Sequence, residues 1–163
     1  MGRVSCSEFI KAGPAQVWAV LTDVPRLPAW AYREGRFPHL VEAKYGGEQK
    51  ESVGATWIGV SVDGQTATQK ITAWEPARKL AYELQAMEHA ALQASQTNTF
   101  ELQAEGDGTQ LTWNVDWQLP RGFSLAALLM RFTANRAFEE MMAGSLGNLK
   151  QLIETETAAG VTA

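Results

Sequence analysis

Towards the end of the chain the apolar residues fall at three- and four-residue intervals: Leu125, Leu128, Leu129, Phe132, Phe138, Met141, Met142, Leu146, Leu149, Leu152 and Ile153. Arg131, Arg136, Glu140, Lys150 and Glu154 take the other side. One stripe of helical period sustained over roughly 30 residues predicts a helix of about 45 Å. It runs from Phe123 to Glu156, after the breaker cluster Pro120-Arg121-Gly122. Gly144 and Gly147 inside it predict places where the helix backbone approaches another element closely.

The earlier chain reads mostly with period two. Residues 3–10 form a first strand, with Val4 and Cys6 on one face and Phe9 on the other. Pro14 opens a short helix with Val17, Trp18, Val20 and Leu21 on its apolar side, and Arg26 to Trp30 form a second helix or turn. Strands are then predicted at His39 to Tyr45, Ala55 to Asp63, Gln65 to Trp74, Arg78 to Met87, Gln93 to Ala104 and Thr109 to Leu119. Asp63-Gly64 predicts a type I′ hairpin, and Glu105-Gly106-Asp107-Gly108 a second tight turn. In the last strand Leu111, Trp113, Val115 and Trp117 alternate with Thr112, Asn114 and Asp116, giving one buried and one wet face. Short-turn strands in sequence make an antiparallel meander, and its apolar face needs a cover of the length the last helix offers. The expected architecture is α+β: about seven strands curved around a long C-terminal helix, with two short helices after strand 1. The gap between sheet and helix is the natural place for a ligand. Residues 1–157 form one domain in this reading, and 158–163 a frayed tail.

Composition narrows the class. The net charge of −4 disfavours a partner with a phosphate backbone, so no nucleic acid is expected. Six tryptophans are many for this length and suit a core or the wall of an apolar cavity. The single cysteine, Cys6, excludes an intrachain disulfide and fits a reducing compartment. No signal-peptide pattern and no apolar run of membrane-spanning length occur, so a cytoplasmic protein without stable membrane insertion is expected. Two histidines and one cysteine, scattered, give no metal-ligand spacing, and no dinucleotide fingerprint, P-loop or nucleophile elbow is present. Neither metal nor cofactor is therefore expected. His39 near a strand start and His89 in a turn read as solvated.

Several stretches in combination carry a family resemblance. They are Ile10 to Trp18 with Leu21-Thr22-Asp23 and Trp30, then Val53-Gly54-Ala55, then Trp74-Glu75-Pro76 through Tyr82. Gly108-Thr109-Gln110-Leu111-Thr112-Trp113 and the closing Leu146 to Glu154 complete the set. In this order the sequence resembles the START/Bet v 1-like (SRPBCC) superfamily, in its polyketide cyclase/dehydrase-like branch. The resemblance implies a helix-grip fold that binds apolar small molecules such as lipids, sterols and polyketides, some members being aromatases or cyclases. Arg33 to Pro38 lacks the compact Trp-x-Pro-x-Val run of that family, which puts a difference at the cavity mouth.

Strand parity names the candidate lining. If Phe100 and Leu102 point inward, so do Gln96 and Asn98. Two amides on an apolar face either bond each other and the backbone, or face a cavity; a slipped register would instead turn them outward. Tyr82, Phe100, Trp113, Val115 and Trp117 line the sheet side, and Leu128, Phe132, Asn135 and Met142 the helix side. The ligand is expected along the helix as far as Met142, with Asn135 meeting Gln96 and Asn98, and a tightly packed clamp from Gly144 to Ile153. The favoured function is binding or carriage of an apolar small molecule, by a monomer or homodimer. An aromatase/cyclase-type enzyme is the alternative, with Tyr82, Gln96, Asn98 and Asn135 as candidates. A protein-interaction module is the second, should Trp57 and Trp74 face outward.

Overall fold

The computed structural model describes residues 2–89, 95–118 and 126–160, with side chains described from residue 132 onward in the last segment. Seven antiparallel strands form one sheet in the order β1-β7-β6-β5-β4-β3-β2. They are β1 (Gly2–Ile10), β2 (Leu40–Tyr45), β3 (Thr56–Ser61), β4 (Thr66–Glu75), β5 (Lys79–Glu88), β6 (Ser95–Glu105) and β7 (Gly108–Gln118). After β1 come α1 (Pro14–Leu21), a 3-10 turn at Val24–Arg26 and α2 (Leu27–Trp30); the chain ends in α3 (Ala126–Ala158). This is the helix-grip arrangement: a curled sheet closed on one side by the long helix.

The strand boundaries fall within about two residues of the alternation pattern. On β7, Leu111, Trp113, Val115 and Trp117 are buried and the residues between them face out. Thr109 closes the β1–β7 corner, its buried hydroxyl donating to the Ala12 carbonyl at 2.7 Å. Opposite these strands α3 presents Met142, Leu146, Leu149 and Ile153, all essentially sealed from solvent. Each such side chain contributes about 1.5–3 kcal/mol of burial. Ion pairs fasten the rim: Lys150 to Glu8 at 2.8 Å, and Arg26 to Glu156.

Four details differ from the sequence reading. The β3–β4 turn is not type I′: only Gly64 has positive φ, at 83°, and the Gly64 N–H donates to the Ser61 carbonyl. A three-residue loop with glycine in the left-handed position, not a two-residue one, makes the hairpin. Gly144 does sit under a close neighbour, because a Cβ there would fall inside the Tyr32 ring, but nothing lies within 4 Å of a Cβ at Gly147. Trp57 and Trp74 point inward, Trp57 against Tyr82 and Trp74 edge-on to Trp18 at 5.1 Å, which removes the feature that favoured an interaction module. The predicted helix start at Phe123 and part of the Glu88 to Leu92 turn lie outside the described residues.

Candidate functional site

The cavity begins where β4, β5 and β6 turn their inner faces toward α2 and α3. Phe100 and Leu102 are buried on β6, so the strand keeps the inward phase and Asn98, 2% exposed, points in with Gln96 half-buried beside it. Asn98 cannot stay dry alone, and it does not. Its Oδ1 accepts the Trp113 indole N–H at 3.1 Å and the Gln96 amide N–H at 3.3 Å. Trp113 is held for this by stacking on Phe100, ring centroids 4.8 Å apart. On β5, Tyr82 packs edge-on against Trp57 of β3, centroids 5.4 Å apart. Burial pushes the Tyr82 phenol above its ordinary range, so it is a neutral hydroxyl rather than a base.

β4 contributes Ala67 and Gln69, and β3 adds Gly59 and Ser61. The far wall comes from α2 and the irregular stretch that follows it, with Trp30, Tyr32, Phe37 and His39. That stretch is pinned to α3 in three places. The Tyr32 ring lies over Gly144, the Tyr32 N–H donates to Ser145 Oγ at 3.1 Å, and Phe37 packs on Phe138 with centroids 4.8 Å apart. A half-open cavity of about 200 Å³ lies between these walls, touching α3 at Met141 and Ser145. A wider hollow of about 460 Å³ lies on the outer sheet face, but Glu75, Arg78, Lys79 and Glu101 line it, as expected of a solvated charged surface.

Of the expected lining residues, Tyr82, Gln96, Asn98 and Trp113 come together on this cavity. Phe100, Val115 and Met142 are sealed in the core behind it. Asn135 does not meet Gln96 and Asn98; its Oδ1 accepts the Trp117 indole N–H at 3.0 Å, so the two satisfy each other. Phe132 is 70% exposed. It stands ten residues before Met142, which on a 3.6-residue helix is about 80° round from the buried stripe. The side chain of Leu128 lies outside the described residues. Among the described side chains of α3, those on the cavity are Met141 and Ser145.

Among the lining residues that the sequence reading does not single out as such are Trp30, Gln69, His39 and Trp57. His39, which the sequence reading places in solvent, lies on the cavity lining. Among the described residues no group of three or more His, Cys, Asp or Glu sits together to hold a metal. Burial, with the Glu139 carboxylate nearby, pushes the Cys6 thiol up and away from a reactive thiolate. No described helix is long and apolar enough to cross a membrane.

A curled sheet closed over a long helix, with an aromatic-walled cavity between them, defines a ligand-binding fold of the helix-grip class. The sequence pattern of the family described as polyketide cyclase/dehydrase and lipid transport matches residues 1–154. The chain belongs to that family. A START superfamily protein of Mycobacterium smegmatis superposes with a TM-score of 0.73 at 12% identity, covering 95% of this chain and 99% of its own. A Mesorhizobium loti protein gives 0.69 at 19% identity, covering 94% and 97%. DynU16, from the dynemicin biosynthetic locus, gives 0.63 at 17% identity over 95% of this chain and 48% of its own length. At these identities the likeness is one of fold. No curated protein matches the sequence.

Proposed function

We propose that the protein binds or carries an apolar small molecule in the cavity between β3–β6, α3 and the stretch after α2. The observation that carries this reading is a cavity of about 200 Å³ walled by Trp30, Trp57, Tyr82 and Trp113, with a few polar groups converging on it. A mostly apolar cleft with sparse polar groups is the usual form of a small-molecule site. The reading agrees with the family's description, which includes lipid transport. Native mass spectrometry of freshly purified protein, followed by titration with a fluorescent apolar probe, tests it. A co-purified small molecule, or saturable probe binding, is expected; the absence of both would overturn it.

A second reading, a cyclase- or aromatase-type enzyme, is favoured by one observation: His39 and Tyr82 share the cavity lining. An imidazole is a general base and a neutral phenol a proton donor, which is the pairing that enolisation of a bound ketone requires. Under this reading His39→Ala abolishes turnover of a poly-β-ketone while leaving its binding within a few-fold. Unchanged turnover would dismiss it.

A further inference from the structure

On β6 the amide of Asn98 can take only one sense. The Trp113 indole N–H is an obligate donor and meets Asn98 at 3.1 Å, so the atom it meets is the amide oxygen. The reverse sense would point one N–H at another. The Gln96 amide nitrogen donates to the same oxygen at 3.3 Å. The Asn98 Oδ1 is thereby filled, and its Nδ2, with two N–H donors, is the end left over.

That nitrogen has no acceptor among the described residues. It is not sealed either: among the described residues, the buried side-chain atoms that lack a partner and are closed to water belong to Trp30 and Gln69. Asn98 keeps only 2% of its surface and lines the cavity, so the open space that Nδ2 meets is the cavity. Tyr82 of β5 and Val115 of β7 flank Asn98 in register, and Phe100 follows two residues along β6, so its surroundings are mostly apolar. In such surroundings a hydrogen bond is stronger than in water, and a donor left without one is costly.

We propose that Asn98 determines the ligand specificity of this cavity. Its amide nitrogen donates to an acceptor oxygen of the bound molecule, such as that of a ketone or ester, and selects that molecule over a hydrocarbon of the same shape. This rests on the binding reading given above and names the group that reads the ligand.

The test is competition binding of three probes to wild-type protein and to Asn98→Asp. The probes are 2-acetonaphthone, 2-isopropenylnaphthalene, in which a methylene replaces the ketone oxygen at nearly the same shape, and the alcohol made by reducing the ketone. Wild type is expected to bind the ketone about three- to tenfold tighter than the alkene, the increment of one net hydrogen bond. Asn98→Asp keeps an oxygen for Trp113 and Gln96 but puts a second oxygen where the free N–H donors were. In mildly alkaline buffer the two donors hold the new carboxyl ionised. The variant should lose the preference for ketone over alkene, and its ketone-to-alcohol ratio should move several-fold toward the alcohol, whose hydroxyl can donate. The wild-type comparison needs no variant, so a misfolded variant leaves the proposal exposed to refutation. Equal binding of ketone and alkene by wild type would mean that water serves the amide, and would overturn the proposal while leaving the binding reading intact. So would a folded Asn98→Asp protein that keeps the wild-type preference. Failure of all three probes to bind overturns the proposal, and if no small molecule co-purifies either, the binding reading falls with it.

Discussion

Around Leu146, Leu149 and Ile153, α3 is sealed against the sheet and its rim polar groups are paired. Thr109 reaches the Ala12 carbonyl, the Lys11 N–H donates to Glu154 at 2.8 Å, and Lys150 holds Glu8. About one turn earlier, around Met141 and Ser145, the same helix faces a cavity whose walls leave Trp30 and Gln69 unpartnered. Among the described residues, the buried side-chain polar atoms without a partner both belong to residues that line that cavity. The difference teaches that the two ends answer to different demands. One end is optimised for the folded chain alone. The other leaves two buried polar atoms of lining residues unbonded and keeps open space between its walls.

The contrast can be broken most forcefully from the clamp. Leu149 is fully buried, so Leu149→Ala should cost about 2–5 kcal/mol, read as a lower denaturation midpoint, with probe affinity in the surviving folded protein little changed. Gly144→Val acts at the border. Its side chain would displace the Tyr32 ring and with it the stretch that walls the cavity. A loss of about 1–3 kcal/mol is expected, and probe binding should weaken several-fold. Gly147→Ala, one turn on, meets open space and should instead stabilise by about 0.5–1 kcal/mol with binding unaltered, by thermal melting and titration. Equal behaviour of the two glycine variants would erase the border.

The smallest effect is in alkaline solution. Burial raises the Tyr82 phenol above its ordinary value of 10.0, so above that pH the unfolded chain releases a proton that the folded chain keeps. The unfolded state then binds fewer protons, and stability falls as pH rises. Tyr82→Phe should flatten this part of the decline while changing stability little at neutral pH. The Lys150 ammonium, whose pKa is raised above 10.5 by its hydrogen bond to Glu8, adds a decline of the same sign that the variant leaves in place.

Much of this architecture is written in period and parity. The alternation through Leu111, Trp113, Val115 and Trp117 needs no tertiary information to be read as a half-buried strand, and it carried the neighbouring Gln96 and Asn98 inward with it. Gln69 shares its phase with Ala67 and Ile71, so alternation turns it inward, but a register shift between Thr68 and Gln69 interrupts the pairing with β5, and nothing local marks the amide as part of a cavity wall. Trp30 was visible as a tryptophan of a short helix, but whether its indole N–H finds a partner depends on what folds over it. His39 follows an irregular stretch whose position is fixed by Tyr32 on Gly144 and Phe37 on Phe138, contacts between residues about 100 apart in the chain. Local pattern reports which way a strand faces; it does not report which polar groups are left unsatisfied when distant segments meet.

The central claim is that the cavity end of α3, unlike the clamp, receives an apolar small molecule. The most direct measurement is thermal melting of wild-type protein and of Gly144→Val, whose side chain would displace the Tyr32 ring from the cavity wall, each alone and with an excess of a fluorescent apolar probe. The probe should raise the melting temperature of wild type, and by more than it raises that of the variant. No rise in wild type, or an equal rise in the variant, would contradict the account.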